Sequence, residues 1–166
     1  MTGPFDDLLD ANRRNRESFA FGELTGRPRL HLAVLACMDT RIDPLAVLGL
    51  EPGDAKILRN AGARVTDDVV RSLAIVVTNL GVDRVAVIAH TDCAMAKLTV
   101  DQLRDRVRAA TGNDAADDWD PLATPDQAEA LRADLARLSS DPLLPDDLVV
   151  GAFIYDVATG ALNPLG

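Results

Sequence analysis

Residues 30–41 read Leu30-His31-Leu32-Ala33-Val34-Leu35-Ala36-Cys37-Met38-Asp39-Thr40-Arg41, an apolar run that ends in a cluster of reactive side chains. The apolar stretch over 29–36 lacks the alternation of a half-exposed strand, so it predicts a strand buried on both faces, as in a parallel sheet. The pattern repeats downstream. Arg84-Val85-Ala86-Val87-Ile88-Ala89 is a second such strand, and His90-Thr91-Asp92-Cys93 follows it at once. The chain has two cysteines and two histidines, and both cysteines and one histidine fall just beyond the carboxyl ends of these strands. Chance placement rarely does this.

Between the two runs, a short helical turn at Pro44 to Leu48 is stopped by Gly49 and Pro52 and leads to a strand around Ala55 to Arg59, which Asn60-Ala61-Gly62 breaks. Thr66 caps the next helix, with Asp67 and Asp68 at its positive end. Val69, Val70, Leu73, Val76, Val77 and Leu80 give that helix a wide apolar face, and Gly81 ends it. A helix follows the Thr99 cap through Leu103, Val107 and Ala110, and residues 112–121 read as a polar loop. Thr124-Pro125-Asp126-Gln127 predicts a capping box with proline at the first helical position, ahead of Ala128, Leu131, Leu135 and Leu138. Leu148 to Tyr155 is the fourth strand, and Asp156 to Gly160 turns it into an edge strand near Ala161 to Asn163. Upstream of everything, Phe5, Leu8 and Leu9 mark a helix over 4–16 with a narrow apolar stripe.

Strands alternating with helices predict an α/β fold: a single three-layer domain over residues 1–166. Its sheet is mostly parallel with about five strands in the order 2-1-3-4-5, the last an antiparallel edge, and helices lie on both faces. In the order 2-1-3, the connections after strands one and three leave toward opposite faces and open a crevice at the carboxyl ends. Cys37 and His90 meet there.

Composition agrees. At 166 residues the chain suits one domain that buries roughly two thirds of its extended surface. Hydrophobic residues at 48% with charged residues at 26% argue against disorder. A net charge of -9, with no Lys/Arg run, argues against nucleic acid and anionic membrane surfaces as partners. Met1 to Asp7 lacks a basic and apolar leader, and no apolar run approaches the roughly 20 residues that cross a bilayer, so a soluble cytoplasmic protein is expected. Two cysteines can close one disulfide, but a reducing cytoplasm and their placement beside His90 suit thiolate ligation better.

Zinc takes thiolate and imidazole in tetrahedral geometry, and catalytic sites use three protein ligands while keeping one position open. Cys37, His90 and Cys93 supply that triple. Two of them come from one turn with His-x-x-Cys spacing and the third from a neighbouring strand, which ties the site to the fold. Asp39 can accept a hydrogen bond at such a site, and Arg41 can hold Asp39 ionised in a two-pronged pair.

These residues resemble the beta-class carbonic anhydrases. The resemblance rests on Cys37-Met38-Asp39-Thr40-Arg41, on Arg59-Asn60-Ala61-Gly62 and on His90-Thr91-Asp92-Cys93. It is close over residues 29–100 and follows the order of elements elsewhere. It implies one zinc per chain on Cys37, His90 and Cys93, an Asp39–Arg41 catalytic dyad, and interconversion of carbon dioxide and bicarbonate through a zinc-bound hydroxide. It also implies Asp39 as a fourth zinc ligand in a closed state. The family's basic unit is a homodimer with N-terminal helices packed across the partner, and dimers can pair into tetramers. Ala61, Gly62 and Val65 are the candidate substrate-pocket residues, Gly62 through its backbone N–H. One departure is Ala94, where a glycine is usual; a positive φ there strains an alanine.

Other readings stay open on the sequence. The same fold and metal suit carbonyl sulfide or carbon disulfide, which are also linear and electrophilic at carbon. A non-catalytic zinc-binding regulatory relative would have Asp39 filling the fourth position permanently. The Asp39–Arg41 pair can be a plain loop salt bridge, Asp92 an Asx turn or a proton relay, and His31, at the far end of its strand from Cys37, a packed or surface histidine.

Overall fold

The computed structural model describes residues 3–166. Among them, five strands form one sheet in the order β2-β1-β3-β4-β5. They are β1 (Leu32–Cys37), β2 (Ala55–Asn60), β3 (Arg84–His90), β4 (Val149–Tyr155) and β5 (Leu162–Pro164). The first four run parallel, and β5 pairs antiparallel with β4. Cys37 lies opposite Asn60, and Ala36 lies opposite both Arg59 and Ile88. That register brings the ends of β1, β2 and β3 to one edge of the sheet.

β1 starts later than the apolar run suggests. Pro28 and a left-handed His31 (φ 53°) hold a turn before it, and the His31 ring bonds to the Gly81 carbonyl at 2.6 Å. His31 is thus a structural residue at the far end of the strand from Cys37.

Between the strands lie α2 (Pro44–Leu48), α3 (Asp67–Leu80), α4 (Ala94–Lys97), α5 (Val100–Thr111) and α6 (Gln127–Ser140), with α1 (Asp6–Asn15) ahead of β1. Local chemistry sets most boundaries. The Thr66 side chain caps α3, and Gly81 closes it in the left-handed region at φ 74°. Thr99 and Gln102 form a capping box on α5. The start of α6 departs from the sequence reading: its cap is Asp126, which accepts from Glu129 N–H at 2.9 Å, so Pro125 precedes the helix. Thr124 is buried instead, because its N–H is taken by the Met95 carbonyl at 2.8 Å, and the helix starts after it. The stretch 112–121 also carries a 3-10 turn, Asp114–Ala116, with Ala116 buried.

Period-two alternation divides the core. Ala33, Leu35 and Cys37 face the larger core with Val69, Val70 and Leu73 of α3 and Leu131 and Leu138 of α6. Val34, Ala36 and Ile88 face the other side, where Leu48 of α2 and Ile57, Phe153 and Leu162 gather. This second face is thinly covered. A groove of about 280 Å³ runs along it between Leu32, Leu48, Val149, Phe153 and Leu162. α1 buries no residue. Among the described residues, no helix is long and apolar enough to cross a membrane.

Candidate metal centre

β1 and β3 are neighbours that end together, so Cys37 and His90, their last residues, are carried to one point. After β3 the chain reverses through Asp92 in the left-handed region (φ 60°), a conformation Asp tolerates better than most residues, and Cys93 returns toward the strand ends. The sulfurs of Cys37 and Cys93 and a ring nitrogen of His90 lie within 4.8 Å of one another, and all three side chains are buried. Both cysteines are free thiols.

The hydrogen bonds around His90 fix its tautomer. Nδ1 lies 2.8 Å from the Thr91 carbonyl, which only accepts, so Nδ1 carries the proton and Nε2 presents its lone pair to the cysteines. Nε2 is buried and finds no hydrogen-bond partner among the described residues. A buried orphan of this kind costs about 1–3 kcal/mol. Two soft sulfurs and an imidazole lone pair converging on one point match zinc's donor preferences, and occupancy would satisfy that nitrogen, so the residues present fit the metal.

The two thiols are driven apart in acidity. Cys37 is lowered far below an ordinary thiol, first by a hydrogen bond from Cys93, against the effect of burial, and also by the Gly62 N–H at 3.4 Å. Cys93 is pushed up by Cys37 and by burial.

Asp39 and Arg41 close the front of the cluster. Arg41 Nε donates to Asp39 Oδ1 at 3.0 Å and Nη2 donates to Oδ2 at 2.8 Å, while the Arg41 backbone N–H adds a third bond at 2.9 Å. These hold the Asp39 carboxyl well below the usual carboxylate range. Oδ2 stands 3.9 Å from His90 Nε2, beside the point on which the ligands converge but turned toward the guanidinium. The free edge of Arg41 is occupied as well. Nη1 donates to Asp92 Oδ2 at 2.7 Å, and Asp92 also pairs with Lys97. The sequence offered a turn or a relay for Asp92; its contacts make it an anchor for Arg41.

The cluster opens onto a cavity of about 450 Å³ walled by Met38, Ala61, Ala94 and Met95, with Asp39 and Arg41 at its polar side. Ala61 therefore stands in the pocket. Val65 does not; it is buried in the main core. Gly62 is turned inward, and its N–H is committed to the Cys37 sulfur. Ala94 carries no strain, since it opens α4 and is not among the residues with positive φ. The strained residue is Ala63, fully buried at φ 57° directly after Gly62 at φ 79°. A left-handed alanine costs about 1–3 kcal/mol and persists only where its surroundings over-determine it.

Those surroundings come largely from contacts that sequence reading did not foresee, even at Arg59, which it quoted only as part of a motif. Arg59 reaches back from β2 to donate to the Cys37 carbonyl (3.0 and 2.9 Å) and the Asp39 carbonyl (2.7 Å), pinning the loop that carries ligand and carboxylate. Gln127 of α6 donates to the His90 carbonyl at 2.8 Å. Asp134 of the same helix, itself buried, holds Arg64. A buried acid on a helix written as an apolar stripe was the one sequence signal available for this brace.

Comparison with known proteins gives a consistent result. A family model described as carbonic anhydrase matches residues 32–162. Beta-carbonic anhydrase 1 of Mycobacterium tuberculosis is 40% identical, over 95% of each chain. Carbon disulfide hydrolase of Saccharolobus solfataricus is 30% identical over 95% of this chain and 88% of its own. The crystal structure of a carbonic anhydrase from Streptococcus mutans superimposes with a TM-score of 0.93 at 37% identity, covering 100% of this chain and 99% of that one.

Proposed function

Because this chain belongs to the beta-carbonic anhydrase family, we propose that it interconverts carbon dioxide and bicarbonate at a zinc held by Cys37, His90 and Cys93. The observation that carries the reading is the buried cluster of two sulfurs and an unpartnered imidazole nitrogen, opening onto a cavity with an ionised carboxylate beside it. Bound there, zinc supplies the Lewis acidity that makes water nucleophilic near neutral pH.

The chain's own residues do the rest. Asp39 accepts a hydrogen bond from the attacking water and so aims its lone pair into the cavity. Arg41 holds the Asp39 carboxyl well below the usual carboxylate range, so Asp39 would orient the water rather than keep its proton. Arg41 is a positioning residue. Its fork occupies both Asp39 oxygens and would keep the carboxylate from ligating a bound metal. Met38, Ala61, Ala94 and Met95 give an apolar wall against which a small linear molecule can rest. Were it to leave Arg41, Asp39 would be free to act as a further ligand to the metal.

Two further parts of the reading concern assembly. A ten-residue helix is marginal in water alone, yet α1 buries nothing and exposes Phe5, Leu8 and Leu9. The thinly covered sheet face offers a matching apolar surface. A homodimer that lays α1 of each protomer over the other accounts for both, and dimers can pair into tetramers.

Carbon disulfide is the second reading, supported by the 30% identical hydrolase. Stopped-flow assays with carbon dioxide, carbonyl sulfide and carbon disulfide, on protein of measured zinc content, separate the two. Rapid hydration of carbon dioxide is expected. A zinc-loaded chain that turns over only the sulfur compounds assigns the second reading, and one inert to all three assigns a non-catalytic zinc protein.

A further inference from the structure

We propose that Arg64 and Asp134 are positioning residues of the metal centre, a buried ion pair that sets the donor strength of Cys37 by holding the Gly62 N–H on its sulfur. The inference rests on the zinc reading of the cluster.

The path can be followed bond by bond. Gly62 and Ala63 are consecutive left-handed residues, at φ 79° and 57°, and this double reversal is what points the Gly62 N–H back at Cys37 Sγ, 3.4 Å away. That conformation is held from within and from outside. One clamp closes across the turn, and a second anchors its far end. The Asn60 side chain bridges the turn, accepting from Arg64 N–H at 2.8 Å and donating to the Arg64 carbonyl at 2.7 Å. The Arg64 guanidinium then reaches across to α6, where Nε and Nη2 meet the two oxygens of Asp134 at 2.7 and 3.1 Å. One residue further on, Arg137 of the same helix donates to the Val65 carbonyl at 2.7 Å. The turn is thus held rigidly between β2 and α6.

Burial makes the clamp stiff. The Asp134 side chain is 5% exposed and that of Arg64 15%, so the pair is largely shielded from water and fixed by two parallel bonds. An exposed pair would add little. The consequence at the metal is electronic as well as geometric. An N–H donated to a thiolate disperses part of its charge, which lowers the proton affinity of that sulfur and its electron donation to a bound cation. Partners one shell out from a metal ligand commonly change metal affinity by about 10- to 100-fold when lost.

The test is the double variant Arg64→Met/Asp134→Leu, which replaces the ion pair with apolar side chains of similar size and so removes its anchor on α6 without leaving a buried charge. Zinc affinity at neutral pH is measured by chelator competition, and the sulfur-to-metal charge-transfer band is recorded after cobalt substitution. The expected result is a fall in zinc affinity of about 10-fold or more, because the Gly62 turn no longer holds the Cys37 sulfur at the point where the ligands converge, with the cobalt band moved to lower energy because a sulfur without that hydrogen bond donates more strongly. Arg64→Lys, which keeps the charge but loses the fork, should move both readouts in the same direction by less. It carries the test if the double variant does not fold.

A folded variant with wild-type affinity and an unmoved band overturns the proposal. A fall in affinity without a band shift also overturns it, since the pair then acts by some route other than the Gly62 amide. Wild-type protein that holds no metal overturns the reading of the site as well, an outcome read from the wild type alone and so distinct from the other two.

Discussion

Removing the metal, or one of its ligands, should cost this protein a measurable part of its thermal stability. Cys37 ends β1 and His90 ends β3, while Cys93 immediately precedes α4, so an ion held by all three ties β1 to a segment more than fifty residues further along the chain. A ligand that binds only the folded state stabilises it by RT ln(1 + [L]/Kd), or about 4 kcal/mol when free zinc is 1,000 times Kd. In a domain of 166 residues each kcal/mol moves the melting midpoint by roughly 2–4 °C, so saturating zinc should raise it by roughly 8–16 °C over chelated protein. Cys93→Ser replaces a thiolate with a hydroxyl that does not ionise at neutral pH. That variant should gain less than about 3 °C from the same zinc, because its higher Kd shrinks the logarithm. Differential scanning calorimetry with and without zinc, paired with elemental analysis, measures both quantities. The reasoning is refuted if Cys93→Ser retains one tightly held zinc per chain and the full wild-type gain.

Three other outcomes follow from the same structure. Arg41→Ala frees Asp39 from its fork, so kcat/KM should fall by about 10-fold or more and X-ray absorption of the loaded protein should register an added carboxylate oxygen; unchanged kinetics would remove Arg41 from the dyad. Asp156 is held below the ordinary carboxylate range, first by the Ala158 N–H and also by Thr91, next to His90. A lowered carboxyl contributes stability that is present above its unfolded value near pH ~4 and is lost as pH falls, so Asp156→Ala should flatten the acid limb of the melting curve against pH and leave the neutral region sloped as before. Deleting residues 1–16 removes the exposed Phe5, Leu8 and Leu9 and should weaken assembly, with sedimentation shifting toward monomer at micromolar concentration; an intact chain that is already monomeric there contradicts the dimer.

What the sequence determined by itself was everything that repeats at short range. The runs 29–36 and 84–89 announced buried strands because a parallel sheet tolerates no polar alternation, and Thr66, Gly81 and Thr99 placed helix ends because capping acts within one turn. The ligand triple was legible for a related reason: three rare reactive residues sat at the ends of two such strands, and strand order alone brought them together. Tertiary structure decided the rest. It moved the α6 cap from Thr124 to Asp126 by giving the Thr124 N–H to Met95, turned Gly62 toward the Cys37 sulfur rather than the pocket, and drew Val65 into the core. It also joined Arg64 to Asp134, seventy positions apart, and Gln127 to the His90 carbonyl. Periodicity tells which face of a helix is apolar, but the partner of a single polar group on that face depends on how helix and strand are docked, and docking is fixed only when the whole core packs.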